Sequence, residues 1–66
     1  MKILVNGESY QLNETISLQA LLAELGYQNK KIAVELNQEI VPNRLYAQTK
    51  INEADQIEIV QAIGGG

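Results

Sequence analysis

Ser17-Leu-Gln-Ala-Leu-Leu-Ala-Glu-Leu-Gly26 decides how the rest of this chain is read. Leu18, Leu21, Leu22 and Leu25 fall at i, i+3, i+4 and i+7, one apolar stripe along a helix. Gln19, Ala20, Ala23 and Glu24 face elsewhere. Ser17 suits the N-cap, because its hydroxyl can accept from the free backbone N–H groups of the first turn. Thr15 is the alternative cap. Ile16 and Leu21 stand at the N′ and N4 positions of a hydrophobic staple. Gly26 is placed to be the C′ residue that ends the helix in the left-handed conformation. A single helix with one apolar stripe packs on one face of a sheet, a two-layer α+β solution.

The flanking segments supply that sheet. Met1-Lys-Ile-Leu-Val5 alternates, with Met1, Ile3 and Val5 on one face and Lys2 and Leu4 on the other. Asn6-Gly7 is a strong hairpin signal. A second strand follows over roughly Ser9 to Leu12. Beyond the helix, Tyr27 to Lys31 is a polar connection. Ile32-Ala-Val-Glu-Leu36 alternates as a strand with Ile32, Val34 and Leu36 inward. Asn37-Gln38 turns the chain, since Asn tolerates positive φ. Glu39-Ile-Val41 makes a short return strand that Pro42 stops. Asn43 to Ile51 is irregular with one helical turn, and Leu45, Tyr46 and Ile51 tuck it under the sheet. Asn52-Glu-Ala-Asp55 is a polar turn. Gln56-Ile-Glu-Ile-Val60 is the last strand, with Ile57 and Ile59 inward. The order is ββαββ(turn)β, a mixed sheet of about five strands on one main helix. The first and last strands are expected side by side in its middle.

Composition narrows the function. Sixty-six residues make one small domain, too small for an enclosed active site as well as a core. The chain has no Cys and no His. Disulfides, thiolate chemistry and the usual near-neutral acid–base group are therefore excluded. Ile, Leu and Val supply 20 residues, so hydrophobic burial can stabilise the fold unaided. Five basic against eight acidic residues give a net charge of −3, which argues against nucleic acid and anionic membranes as partners. The longest apolar run is far too short to span a bilayer. Lys2 and the alternation after it speak against a signal peptide, so a cytoplasmic location is expected.

Few side chains suggest chemistry. Seven Glu and one Asp are scattered, and no pair is held in an evident cleft, so each reads as a solvated surface charge. Ser9 and Ser17 lack a histidine to activate them. Lys30-Lys31 is a small basic patch in a loop, ordinarily just solvated. No metal ligand set and no catalytic residue stands out. The segment that breaks the rules of a stable domain is Gly64-Gly65-Gly66. Three glycines lose the most backbone entropy on ordering and bury nothing. They are read as a flexible tail (residues 64–66) after a domain of residues 1–63. Frayed termini are common. A tail without Cβ atoms also fits a narrow tunnel in a partner and reaches roughly 10 Å beyond the last side chain.

A domain that opens on Met1-Lys-Ile-Leu-Val5 and closes on bare glycines resembles the β-grasp, or ubiquitin-like, fold. The runs Ile32-Ala-Val-Glu-Leu-Asn-Gln-Glu-Ile-Val-Pro42 and Asp55-Gln-Ile-Glu-Ile-Val-Gln-Ala-Ile-Gly-Gly-Gly66 resemble the ThiS family, the sulfur carriers of thiamine biosynthesis. The resemblance covers essentially the whole chain. Gln38 and Ala54 stand where glycine is more usual in that family, and Tyr46 where Trp is common. These departures touch turns and packing, not the tail.

The resemblance implies a carrier rather than an enzyme. Gly66 would be adenylated by a ubiquitin-activating-type (ThiF-like) enzyme that uses ATP and magnesium. A sulfur donor such as a cysteine desulfurase would convert it to a thiocarboxylate, and a thiazole synthase (ThiG-like) would take the sulfur. No cofactor is expected on the chain itself. A molybdopterin synthase small subunit shares this fold and tail. A ubiquitin-like modifier and a plain β-grasp binding module are further readings. Partner docking is expected on the outward sheet face. If Ile57 and Ile59 point to the helix, Val60 points away, and so by parity does Leu4. With neighbouring strands, Leu4 and Val60 would form one apolar patch, with Ala62 and Ile63 leading from it to the glycines. The alternative is that a neighbouring loop covers Leu4.

Overall fold

The computed structural model describes residues 1–61. Ala62, Ile63 and the tail Gly64, Gly65 and Gly66 lie outside the described residues, and so does the expected division between domain and tail.

β1 (Lys2–Val5) and β2 (Glu8–Gln11) form an antiparallel hairpin across Asn6-Gly7. Both turn residues have positive φ, 52° and 83°, the mirror-image turn whose twist suits a hairpin. α1 (Leu18–Glu24) follows, and Ser17 caps it by accepting from the Ala20 N–H at 3.1 Å. Thr15 instead donates to the Ile51 carbonyl. At the other end Gly26 has φ 92°. Its N–H meets the Ala23 carbonyl at 3.1 Å, and the Tyr27 N–H meets that of Leu22 at 2.9 Å. That pair of bonds is a Schellman motif, and it satisfies carbonyls the helix leaves free.

β3 (Ile32–Leu36) and β4 (Glu39–Ile40) form a second hairpin across Asn37-Gln38. A 3₁₀ helix (Asn43–Gln48) is the expected helical turn, and β5 (Gln56–Gln61) closes the chain. The sheet order is β2-β1-β5-β3-β4. β1 and β5 run parallel at its centre, and the other pairings are antiparallel. This is the β-grasp architecture expected from the sequence.

The core gathers the predicted inward faces. Ile3, Val34, Ile57 and Ile59 from the sheet meet Leu18, Leu21 and Leu22 of α1, with Leu12, Tyr46 and Ile51 from the connections. Boundaries differ slightly from expectation. β2 stops at Gln11. Leu12 is nevertheless buried, anchored because its N–H donates to the Met1 carbonyl and the Met1 amine donates back to its own, both at 2.8 Å. Val41 falls outside β4, and β5 gains Gln61 opposite Ile32.

Candidate functional site

The expected chemistry lies at the chain end, and β5 is the element that leads to it. β3 pairs β5 along its length, from Leu36↔Ile57 to Ile32↔Gln61. β1 pairs it only at Leu4↔Gln56 and Val5↔Ile57. Beyond that point one side chain does the work of a strand. Asn6, held at φ 52° by its turn, donates its backbone N–H to the Ile57 carbonyl at 2.8 Å. Its Oδ1 accepts from the Ile59 N–H at 2.7 Å.

The start of β5 is fastened by a second asparagine. Asn37 Oδ1 accepts from the Gln56 N–H at 2.9 Å, and Asn37 Nδ2 donates to Asp55 Oδ1 at 3.0 Å. Asp55 Oδ2 in turn accepts from the Asn52 N–H at 2.7 Å. The sequence shows both asparagines as turn formers. Their side chains carry the further role, because an Asn at positive φ keeps its amide free to bond across the sheet. The 52–55 turn needs a left-handed residue, and Ala54 fills it at φ 70°. Its N–H reaches the Lys2 carbonyl at 2.8 Å.

Of the expected docking residues, Val60 and Leu4 fall among the described residues. Val60 is 64% exposed and stands opposite Ala33. Leu4 is half-buried beside Gln56. Both lie on the outward face, but they do not form one patch. β1 ends at Val5, and Val60 lies four positions past Gln56, roughly 13 Å along the strand. Ala62 and Ile63 are outside the described residues. Ile40 is 76% exposed and stands opposite Glu35 on the same face as Val60. The signal was available, because a two-residue turn at Asn37-Gln38 fixes the register and gives Ile40 the parity of outward Glu35.

The remaining polar chemistry is structural. Burial pushes the Tyr46 phenol above its ordinary pKa. Tyr10 is raised chiefly by its hydrogen bond to Glu24, then by burial and the Glu24 charge. Neither tyrosine lies on the outward face. Among the described residues no group of three or more acidic side chains could hold a metal, and no helix is long and apolar enough to cross a membrane.

Comparison with known proteins bears on the whole chain. The model of the ThiS family matches residues 3–66. The chain is 35% identical to the sulfur carrier protein ThiS of Escherichia coli, with each chain covered in full. It is 48% identical over all 66 residues to a thiazole synthase of Paramagnetospirillum magneticum, of whose length it spans 20%. The crystal structure of the thiamine biosynthesis protein ThiS from Geobacter metallireducens superposes with a TM-score of 0.86 at 29% identity, each chain covered in full.

Proposed function

The chain belongs to the ThiS family, and on that footing we propose that it carries sulfur on Gly66 for the thiazole ring of thiamine. The observation that carries this reading is the family match itself, which runs through the terminal glycines to residue 66. The α-carboxylate of Gly66 is ionised at neutral pH, with an ordinary pKa of roughly 3.5, and is a poor electrophile. An adenylating enzyme of the ubiquitin-activating type joins it to AMP from ATP and magnesium, releasing pyrophosphate. A donor such as a cysteine desulfurase supplies a persulfide whose outer sulfur displaces AMP. A second thiol then cleaves the resulting acyl disulfide, leaving a disulfide on the donor and a thiocarboxylate on the chain. Thiazole synthase consumes it. The protein is thus a group carrier without catalytic residues, and the chemistry belongs to its partners. Lacking Cys and His, it holds no thiolate or imidazole to attack its own activated end.

Gly64, Gly65 and Gly66 are the segment that enters those active sites. Partners approach along the outward sheet face, at Val60 next to the terminal segment and at Leu4 as a separate contact. Ala62 and Ile63 lie between Val60 and the glycines. The likeness to a thiazole synthase favours the thiamine pathway over a molybdopterin synthase small subunit.

Complementation separates these readings. A bacterial strain lacking its own thiamine sulfur carrier should grow without thiamine when it expresses this chain, and should fail with the form lacking Gly66. Rescue of a molybdopterin-deficient strain instead would assign the chain to the other pathway. Equal rescue with and without Gly66 would make it a binding module.

A further inference from the structure

Building on the carrier reading above, we propose that Ile40, Ala33 and Val60, around the Glu35–Glu58 pair, form a docking surface for thiazole synthase, which inserts an arginine between the two carboxylates. Among the described residues, Ile40 and Val60 are the large hydrophobic side chains most exposed to solvent, at 76% and 64%. The register brings them to one face. Ile40 stands opposite Glu35, Glu35 opposite Glu58, and Ala33 opposite Val60. These residues line one shallow groove with Gln56, and no lysine or arginine lines it. Apolar side chains gathered on one exposed face mark an interaction site rather than scattered surface residues.

The charges define what sits there. Glu35 and Glu58 face each other in the register that joins Asn37 to Gln56 by a backbone hydrogen bond. Such partners have Cα atoms about 5.5 Å apart. Like charges directly opposite each other destabilise a sheet, so the pair works against the fold's own stability. A guanidinium relieves that repulsion, because its planar fork bonds two carboxylates at once while its flat face rests on apolar neighbours. A nucleic acid or anionic membrane would be repelled. A second copy of this chain would bring four carboxylates together. The partner is therefore a protein face with an arginine among apolar side chains.

One observation points to thiazole synthase, and the reach of the chain accommodates it. A 48%-identical sequence makes up a fifth of a thiazole synthase chain, which places such a domain and a synthase within tethering distance. In addition, Gly66 lies six positions beyond Val60, a reach of roughly 20 Å when extended. A synthase seated on Val60 has the terminal carboxylate within range of its active site.

The test titrates the full-length chain with thiazole synthase from the same organism by calorimetry, at low and high salt. Glu35→Gln with Glu58→Gln should weaken binding at least tenfold at low salt, flatten its salt dependence and slightly raise the melting temperature. Ile40→Ser with Val60→Ser should weaken binding tenfold or more with an unchanged circular dichroism spectrum. Affinities within twofold of the parent for both folded variants would overturn the proposal. So would loss of affinity for the adenylating enzyme alone, or absence of binding by the parent chain. Thiocarboxylate formation, followed separately by mass, tests the carrier reading. A chain that binds the synthase through this face but is never thiocarboxylated would sink that reading and leave the surface standing.

Discussion

Asn6 Oδ1 accepts a hydrogen bond from the Ile59 N–H at 2.7 Å and so extends the pairing of β5 beyond the end of β1. A hydrogen bond of this kind, from a backbone N–H to a side-chain oxygen, contributes about 1 kcal/mol net. A non-glycine residue in the left-handed region without a helpful side chain costs roughly 1–2 kcal/mol. Asn6→Ala loses the first and incurs part of the second, so chemical denaturation should show a loss of about 1–3 kcal/mol. Asn6→Asp keeps an acceptor and should lose less. Equal stability of Asn6→Ala and the parent would mean that the contact is incidental.

Two other left-handed positions should respond in the opposite sense. Gln38 has φ 73° and Ala54 φ 70°, and neither side chain is suited to that region. Glycine removes the strain but adds freedom to the unfolded chain, worth about 0.4–1 kcal/mol. Ala54→Gly and Gln38→Gly should each gain about 0.5–1 kcal/mol. At about 4–8 °C per kcal/mol for a domain this small, calorimetry would resolve either shift. A lowered melting temperature in both would refute the strain argument.

The same residues mark how far the sequence could be read. The helix was legible from its leucine spacing and its Ser17 and Gly26 ends, because those are local signals. So were the two hairpins, since Asn6-Gly7 and Asn37-Gln38 announce their turns. Alternation in residues 2–5, 32–36 and 56–60 separated core from surface. What the sequence hid was offset between strands that are distant in the chain. Parity put Leu4 and Val60 on one face, but only the parallel register of β1 and β5 shows that they do not meet. The bonds of Asn6 to Ile59 and Asn37 to Gln56 were hidden for the same reason. Ile40 was within reach, because a two-residue turn fixes its partner.

Alkaline pH should unfold the domain in part through Tyr46. Burial raises its phenol above the ordinary 10.0, so the folded state favours the neutral form. The contribution is fully present below the unfolded pKa and is lost as pH rises through the folded one. The unfolded chain releases that proton first. Tyr10 adds to the slope in the same direction through Glu24. Tyr10→Phe with Tyr46→Phe should therefore melt with a smaller loss between roughly pH 9 and 11, on either side of an ordinary phenol pKa. An identical alkaline slope would show that the phenols do not drive it.

Gly65→Val separates fit from folding. Among the described residues the buried core ends at Ile59, so a change at the penultimate position should leave the melting temperature within about a degree, as surface changes far from the core do. It should stop adenylation, because a branched side chain clashes with walls shaped for a bare backbone. Pyrophosphate release with the adenylating enzyme is the readout. Normal release would remove the case for a narrow tunnel.

Intact-mass spectrometry shows whether Gly66 holds the transferred sulfur. After incubation with the adenylating enzyme, ATP, magnesium and a sulfur donor, the mass should rise by the difference between one sulfur and one oxygen atom. Fragmentation should place that difference on Gly66, and the form lacking Gly66 should show none. An unchanged mass, a difference placed on another residue, or the same exchange without Gly66 would mean that Gly66 does not carry the sulfur.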